Sequence, residues 1–158
     1  MPQDAMTRLV LFALLVAAAT SVGVARAGED IRRCAFEVKA RCASGDARVV
    51  LIDGAVQSIG VSVDWCALAG GLAYSCTINS SRGDRDSKWS QEGDETIISN
   101  LAPFSAGQPD FVKVTVGRHV SIDLEHAESL GRCGAGAELP WAIVIPAQRG
   151  PCRIWLER

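Results

Sequence analysis

The sequence predicts an all-β domain, a small barrel or sandwich of about eight short strands with one short helix, stapled by disulfides. Three observations carry that expectation. Apolar residues alternate with polar ones at period two through most of the chain, the pattern of half-buried strands. Gly, Pro, Asp and Ser clusters punctuate the pattern at short intervals. Six cysteines occur in 158 residues, an even number in a short chain. A hydrophobic content of 48% with 22% charged residues is enough for a core and excludes a mostly disordered chain.

The first 27 residues read as a secretory leader rather than as part of the fold. Arg8 precedes an apolar run from Leu9 to Ala19, and a stretch of small residues ends Ala25-Arg26-Ala27. That order of a basic start, an apolar stretch and an A-x-A cleavage site defines a signal peptide. The apolar run falls short of the ~18 residues that a membrane span needs. No cysteine follows the cut directly, the first being Cys34, so no lipid anchor is expected. Cleavage leaves Gly28–Arg158 as a single disulfide-rich β domain, exported to a periplasm or to the extracellular space. Loss of Arg8, Arg26 and Asp4 gives a mature chain with 14 basic and 17 acidic residues, a net charge of -3. This balance argues against nucleic acid as a partner.

The elements follow in order. Cys34 to Cys42 alternates Phe36, Val38 and Ala40 against Glu37, Lys39 and Arg41, which predicts a strand pointing both cysteines inward. Ser44-Gly45-Asp46 reads as the following turn. Arg48–Ile52 is a short strand, and Asp53-Gly54 a hairpin turn. Ile59, Val61, Val63 and Trp65 share one face of the next strand; Leu72, Tyr74, Cys76 and Ile78 share one face of another. Ser80 to Asp86 is a polar loop. Lys88–Gln91 and Glu95–Ser99 form a hairpin over Glu92-Gly93-Asp94. Pro103 to Asp110 is a loop. Val112 to Leu124 alternates, either as one long strand or as a hairpin turning at Gly117-Arg118. The short helix is expected from Asp123, as cap, to Gly131, with Leu124, Ala127 and Leu130 on one face. Trp141–Ile145 and Cys152–Leu156 are the last strands, with Pro146 to Pro151 between them.

Export to an oxidising compartment makes disulfides of Cys34, Cys42, Cys66, Cys76, Cys133 and Cys152. Fifteen connectivities are possible. Cys34 and Cys42, about 26 Å apart along an extended strand, cannot pair with each other. Cys66 and Cys76 are spaced to close a hairpin across Gly70-Gly71, and Cys133 and Cys152 to close the last loop. No close cysteine pair suggests zinc or redox chemistry, and no metal or cofactor is expected.

The most polar stretch, residues 82–95, is the candidate contact patch. Trp89 lies between Lys88 and Ser90 in polar surroundings and is expected to be exposed, with Asp94 nearby, while the other tryptophans are expected in the core. The same stretch echoes the ligand order of a calcium loop from Asp84 to Glu95. However, Lys88 and Trp89 occupy a ligand and a glycine position, so a solvated hairpin is the better reading. Arg82-Gly83-Asp84, a tripeptide found in adhesion ligands, reads as a surface loop. Asn79-Ser80-Ser81 fits a glycosylation sequon. His119 and His126 fall on polar faces, no G-x-S-x-G motif accompanies them, and no carboxylate pair is singled out by spacing, so no catalytic residue is assigned. The leading expectation is a non-enzymatic binding module for a protein or glycan, and the rival is a secreted or periplasmic hydrolase. Residues 88–96, KWSQEGDET, loosely resemble the Trp-x-x-Gly-Asp segment of the secreted bacterial inhibitors of c-type lysozyme. Tyr74-Ser75-Cys76 resembles the Tyr-x-Cys of that family. The resemblance implies a small β-barrel of the cell envelope that inhibits lysozyme. It is confined to these two segments, and an extra residue interrupts the Trp–Gly spacing.

Overall fold

The computed structural model describes residues 28–66, 73–99, 101, 110–127, 133 and 139–156; the expected leader, Leu72, Gly70-Gly71 and the loop at 103–109 lie outside them. Ten strands form two antiparallel sheets. β1 (Glu29–Val38), β2 (Ala43–Ile52), β3 (Ala55–Trp65) and β4 (Tyr74–Ser81) make the first, in sequence order. β5 (Lys88–Glu92), β6 (Glu95–Ser99), β7 (Phe111–Val116), β8 (Val120–Asp123), β9 (Ala142–Ile145) and β10 (Arg153–Trp155) make the second, also in order. The result is a sandwich of two meanders. Its core is the inward half of each alternation: Val49, Val61, Val63 and Ile78 from one sheet meet Ile98, Val112, Val114, Ile122, Ile143 and Ile145 from the other. Burying these branched side chains between two β surfaces is the main driving force for the fold.

The first hairpin turns earlier than the sequence suggests. The chain reverses through a single 3-10 turn at Lys39–Arg41, and Cys42 takes up a left-handed conformation with φ 50°. Ser44-Gly45-Asp46 therefore lies within β2. Gly45 is there for space, not for turning. It pairs with Phe36 across the hairpin, and a Cβ at Gly45 would lie 2.5 Å from the Phe36 ring and 2.2 Å from the Ser62 carbonyl oxygen. Cys42 is consequently exposed rather than inward. The second turn is as expected: Asp53 (φ 51°) and Gly54 (φ 79°) supply the two positive φ angles of a two-residue hairpin. Val112–Leu124 resolves into the hairpin β7–β8. Leu124–Ala127, expected to be helical, forms one turn instead. Asp123 Oδ1 accepts from the Glu125 N–H at 2.9 Å, and the Ala127 N–H donates to the Leu124 carbonyl at 2.9 Å. The rest of that expected helix, residues 128–132, lies outside the described residues.

The disulfides are Cys34–Cys152, Cys42–Cys66 and Cys76–Cys133, with Cα separations of 5.1, 5.6 and 4.6 Å. Neither the Cys66–Cys76 nor the Cys133–Cys152 pairing forms. Cys66 follows β3, whose far end lies beside the start of β2, so its nearest cysteine is Cys42; the Cys66 N–H also donates to the Cys42 carbonyl at 2.9 Å. Cys152 lies against β1, where its N–H donates to the Ala35 carbonyl at 2.9 Å. That contact and the Cys34–Cys152 bond join the outer edges of the two sheets.

Candidate binding surface

The β5–β6 hairpin is where the sequence places a contact patch. In β5 Lys88 and Ser90 face solvent while Trp89 between them turns to the other side and packs half-buried against the core. The Trp89 Nε1–H donates to the hydroxyls of Ser80 (3.2 Å) and Ser87 (3.1 Å), and the Ser80 hydroxyl donates to that of Ser87 at 2.8 Å. Ser80 is only 3% exposed. The Arg82 guanidinium covers the indole, 5.3 Å from the ring centroid, while its Nε donates to the Val56 carbonyl at 3.2 Å. Trp89 thus occupies the β4–β5 corner as a structural wedge. Asp94 lies apart from all of these, beside Asp53, Gln91 and Thr96 in a separate depression of about 400 Å³. Trp89, Lys88, Ser90 and Asp94 do not converge on one surface. The most exposed tryptophan is Trp155, at 41%.

A different surface does converge. Cys34 and Phe36 point into the core, so Arg33 points outward from β1, and Val49 does the same for Arg48 on β2. The β1–β2 register sets Arg33 directly opposite Arg48. Like charges facing each other across a strand pair oppose pairing. A third arginine joins them: the Cys34–Cys152 bond draws the β9–β10 loop over β1, and Arg149 in that loop lines the same cavity. The loop is stiffened by Pro146 and Pro151 and held at Ala147, whose N–H donates to His119 Nδ1 at 3.2 Å. The cavity measures about 510 Å³ and also includes Arg32, Gln148 and the exposed Ile31. Arg32 is paired with Asp30 at 2.7 Å. Among the described residues, Arg33, Arg48 and Arg149 enter no ion pair.

This arrangement brings three guanidinium groups without an ion pair to one concavity of an acidic protein, with the outward Asp46 two residues from Arg48 on the same face. Planar guanidinium forks suit it to carboxylate, sulfate or phosphate groups. Elsewhere, His119 and His126 are exposed and far apart in role, one bracing a loop and the other stacked on Phe111 with centroids 4.6 Å apart. Among the described residues no three His, Cys, Asp or Glu side chains are grouped to hold a metal. The arginine cluster escaped the sequence reading because its other members are 15 and 116 residues beyond Arg33. The one available signal was the period-two parity of Arg33 and Arg48, which needs the correct turn to become a register. No family model matches the chain, and neither does any curated protein or solved structure.

Proposed function

We propose that this protein is an exported, non-enzymatic binding module that recognises an anionic ligand of the cell envelope or extracellular space through the cavity of Arg33, Arg48 and Arg149. The observation that carries the reading is the in-register pairing of Arg33 with Arg48, with Arg149 brought alongside and no carboxylate partner for any of the three among the described residues. Such a cluster costs stability in the empty protein, a cost that a bound anion would reverse. Three disulfides suit a protein that works outside a reducing cytosol.

The test is retention of the oxidised Gly28–Arg158 chain on immobilised dextran sulfate, with uncharged dextran as control. The expected result is retention on the sulfated matrix alone, with early elution of the Arg33→Ser, Arg48→Ser and Arg149→Ser variant. Because the mature chain carries a net charge of -3, retention would reflect the local cluster and not the overall charge. Equal elution of the wild type from both matrices would overturn the reading.

A further inference from the structure

The arginine cavity does not end at Arg48. The same side chain lines a second depression, of about 280 Å³, shared with Ser58, Gly60, Asn79, Ser81 and Asp84. The registers explain the continuity. Arg33 faces Arg48, Arg48 faces Gly60, and Gly60 faces Asn79, so one row crosses all four strands of the first sheet on its outer face. At 4.7–4.9 Å per strand the row spans roughly 14 Å. We propose that the ligand is an anionic polysaccharide lying along this row, with a charged sugar in the arginine cavity and an uncharged neighbouring sugar over Gly60. This rests on the anionic-ligand reading above and specifies its ligand class.

The two ends of the row differ in chemistry. The first offers guanidinium groups, suited to a carboxylate or sulfate, with the exposed Ile31 side chain at its margin. The second shares Arg48 at its border and adds hydroxyls, an amide and one carboxylate, which match a sugar's hydroxyls as donors and acceptors alike. Asp84 offsets the Arg48 charge there. Its carboxylate repels a second anion, so a ligand charged at every unit fits this row worse than one charged at alternate units. A nucleic acid strand or a polyphosphate would bring a charge to Asp84. The floor of the second depression is Gly60, where a Cβ would come 2.9 Å from the Asn79 Oδ1. Glycine leaves the Asn79 amide lying across the strand; a larger side chain displaces it and fills the trough. Asn79 is exposed and able to swing aside, so the sheet tolerates the change.

The experiment uses titration calorimetry for oligosaccharides and NMR shift perturbation for the weakly bound monomer. Its probes are glucuronate, a hyaluronan tetrasaccharide (in which glucuronate alternates with an uncharged sugar) and a tetragalacturonate charged at every unit. The proposal expects the hyaluronan fragment to bind at least tenfold tighter than glucuronate and tighter than tetragalacturonate. It expects Gly60→Val to return the tetrasaccharide to the affinity of the monomer without altering glucuronate binding. Asn79→Leu, at an exposed position, fills the same trough and serves if Gly60→Val folds poorly. Equal affinity for glucuronate and tetrasaccharide, or wild-type tetrasaccharide binding by a folded Gly60→Val or Asn79→Leu protein, would overturn this inference and leave the arginine cavity as a simple anion site. Failure of the wild type to bind any of the three charged probes would overturn the anionic-ligand reading itself, and this inference with it.

Discussion

Single residues in this molecule are placed where they oppose stability, and each such placement makes a prediction. Arg48 opposite Arg33 is the clearest case. Replacing Arg48 with Thr removes the repulsion and supplies a better strand former. The empty protein should gain about 0.5 kcal/mol, in line with cross-strand pairs elsewhere, while affinity for a sulfated or uronate ligand should fall about tenfold. Chemical denaturation and ligand titration of the same variant read the two effects, and a loss of stability would count against the register argument. Gly28 offers the opposite case. Its N–H lies 3.1 Å from Asp53 Oδ1, and its carbonyl accepts from the Asp53 N–H at 3.3 Å. On the proposed cleavage after Ala27, that nitrogen becomes a charged ammonium facing a carboxylate. A chain beginning at Gly28 should therefore be more stable than one with two extra N-terminal residues, by about 0.5 kcal/mol for so exposed a pair. Asp53→Asn should abolish the difference, since Asn keeps the left-handed turn but not the charge. Thermal melts of the four proteins complete the cycle.

At the level of elements, the Cys34–Cys152 bond has two separable jobs. It joins β1 to the approach of β10, and it draws the Pro146–Pro151 loop, with Arg149, onto the outer face of β1. The double variant Cys34→Ser, Cys152→Ser should lose about 2–5 kcal/mol in unfolding free energy. It should also lose anion binding at temperatures where it is still folded. A folded double variant that binds normally would show that His119 and the prolines suffice to hold the loop. The strands themselves were largely legible in the sequence because burial alternates, and alternation survives any error in the turns. The turns were less legible. Ser44-Gly45-Asp46 has turn chemistry, but the Phe36 ring claims the space over Gly45, and only the register reveals that competition. Cysteine pairing failed for a related reason: hairpin logic joins neighbours in sequence, whereas Cys76–Cys133 and Cys34–Cys152 join segments 57 and 118 residues apart. At the β5–β6 hairpin, parity decides where Trp89 points. Trp89, between Lys88 and Ser90, looked polar by company, yet period two puts it on the opposite face from both.

Over the whole molecule, a net acidic chain brings three arginines that enter no ion pair among the described residues to one cavity, while Arg85, Arg118 and Arg153, equally without one, lie elsewhere. The outer face of the first sheet carries Arg33 and Arg48 at one edge, Ser58, Gly60 and Asn79 across the middle and Asp84 beyond β4, with Glu37, Asp46 and Asp64 toward the opposite end of the strands. The outward side chains of β3 along this face, Ser58, Gly60 and Ser62, are all small, so nothing bulky shields the trough. A face of this kind binds by charge at short range and must respond to salt. The Debye length falls from about 10 Å at 0.1 M to about 3 Å at 1 M ionic strength, so exposed arginines lose most of their pull on a ligand between those limits. Affinity for a hyaluronan fragment should fall at least tenfold over that range in the wild type. The Arg33→Ser, Arg48→Ser, Arg149→Ser protein should show a much shallower response, because the charged groups left along the row are Arg32, already paired with Asp30, and the Asp84 carboxylate. A salt-independent wild type would mean that the arginines do not hold the ligand, whatever its affinity.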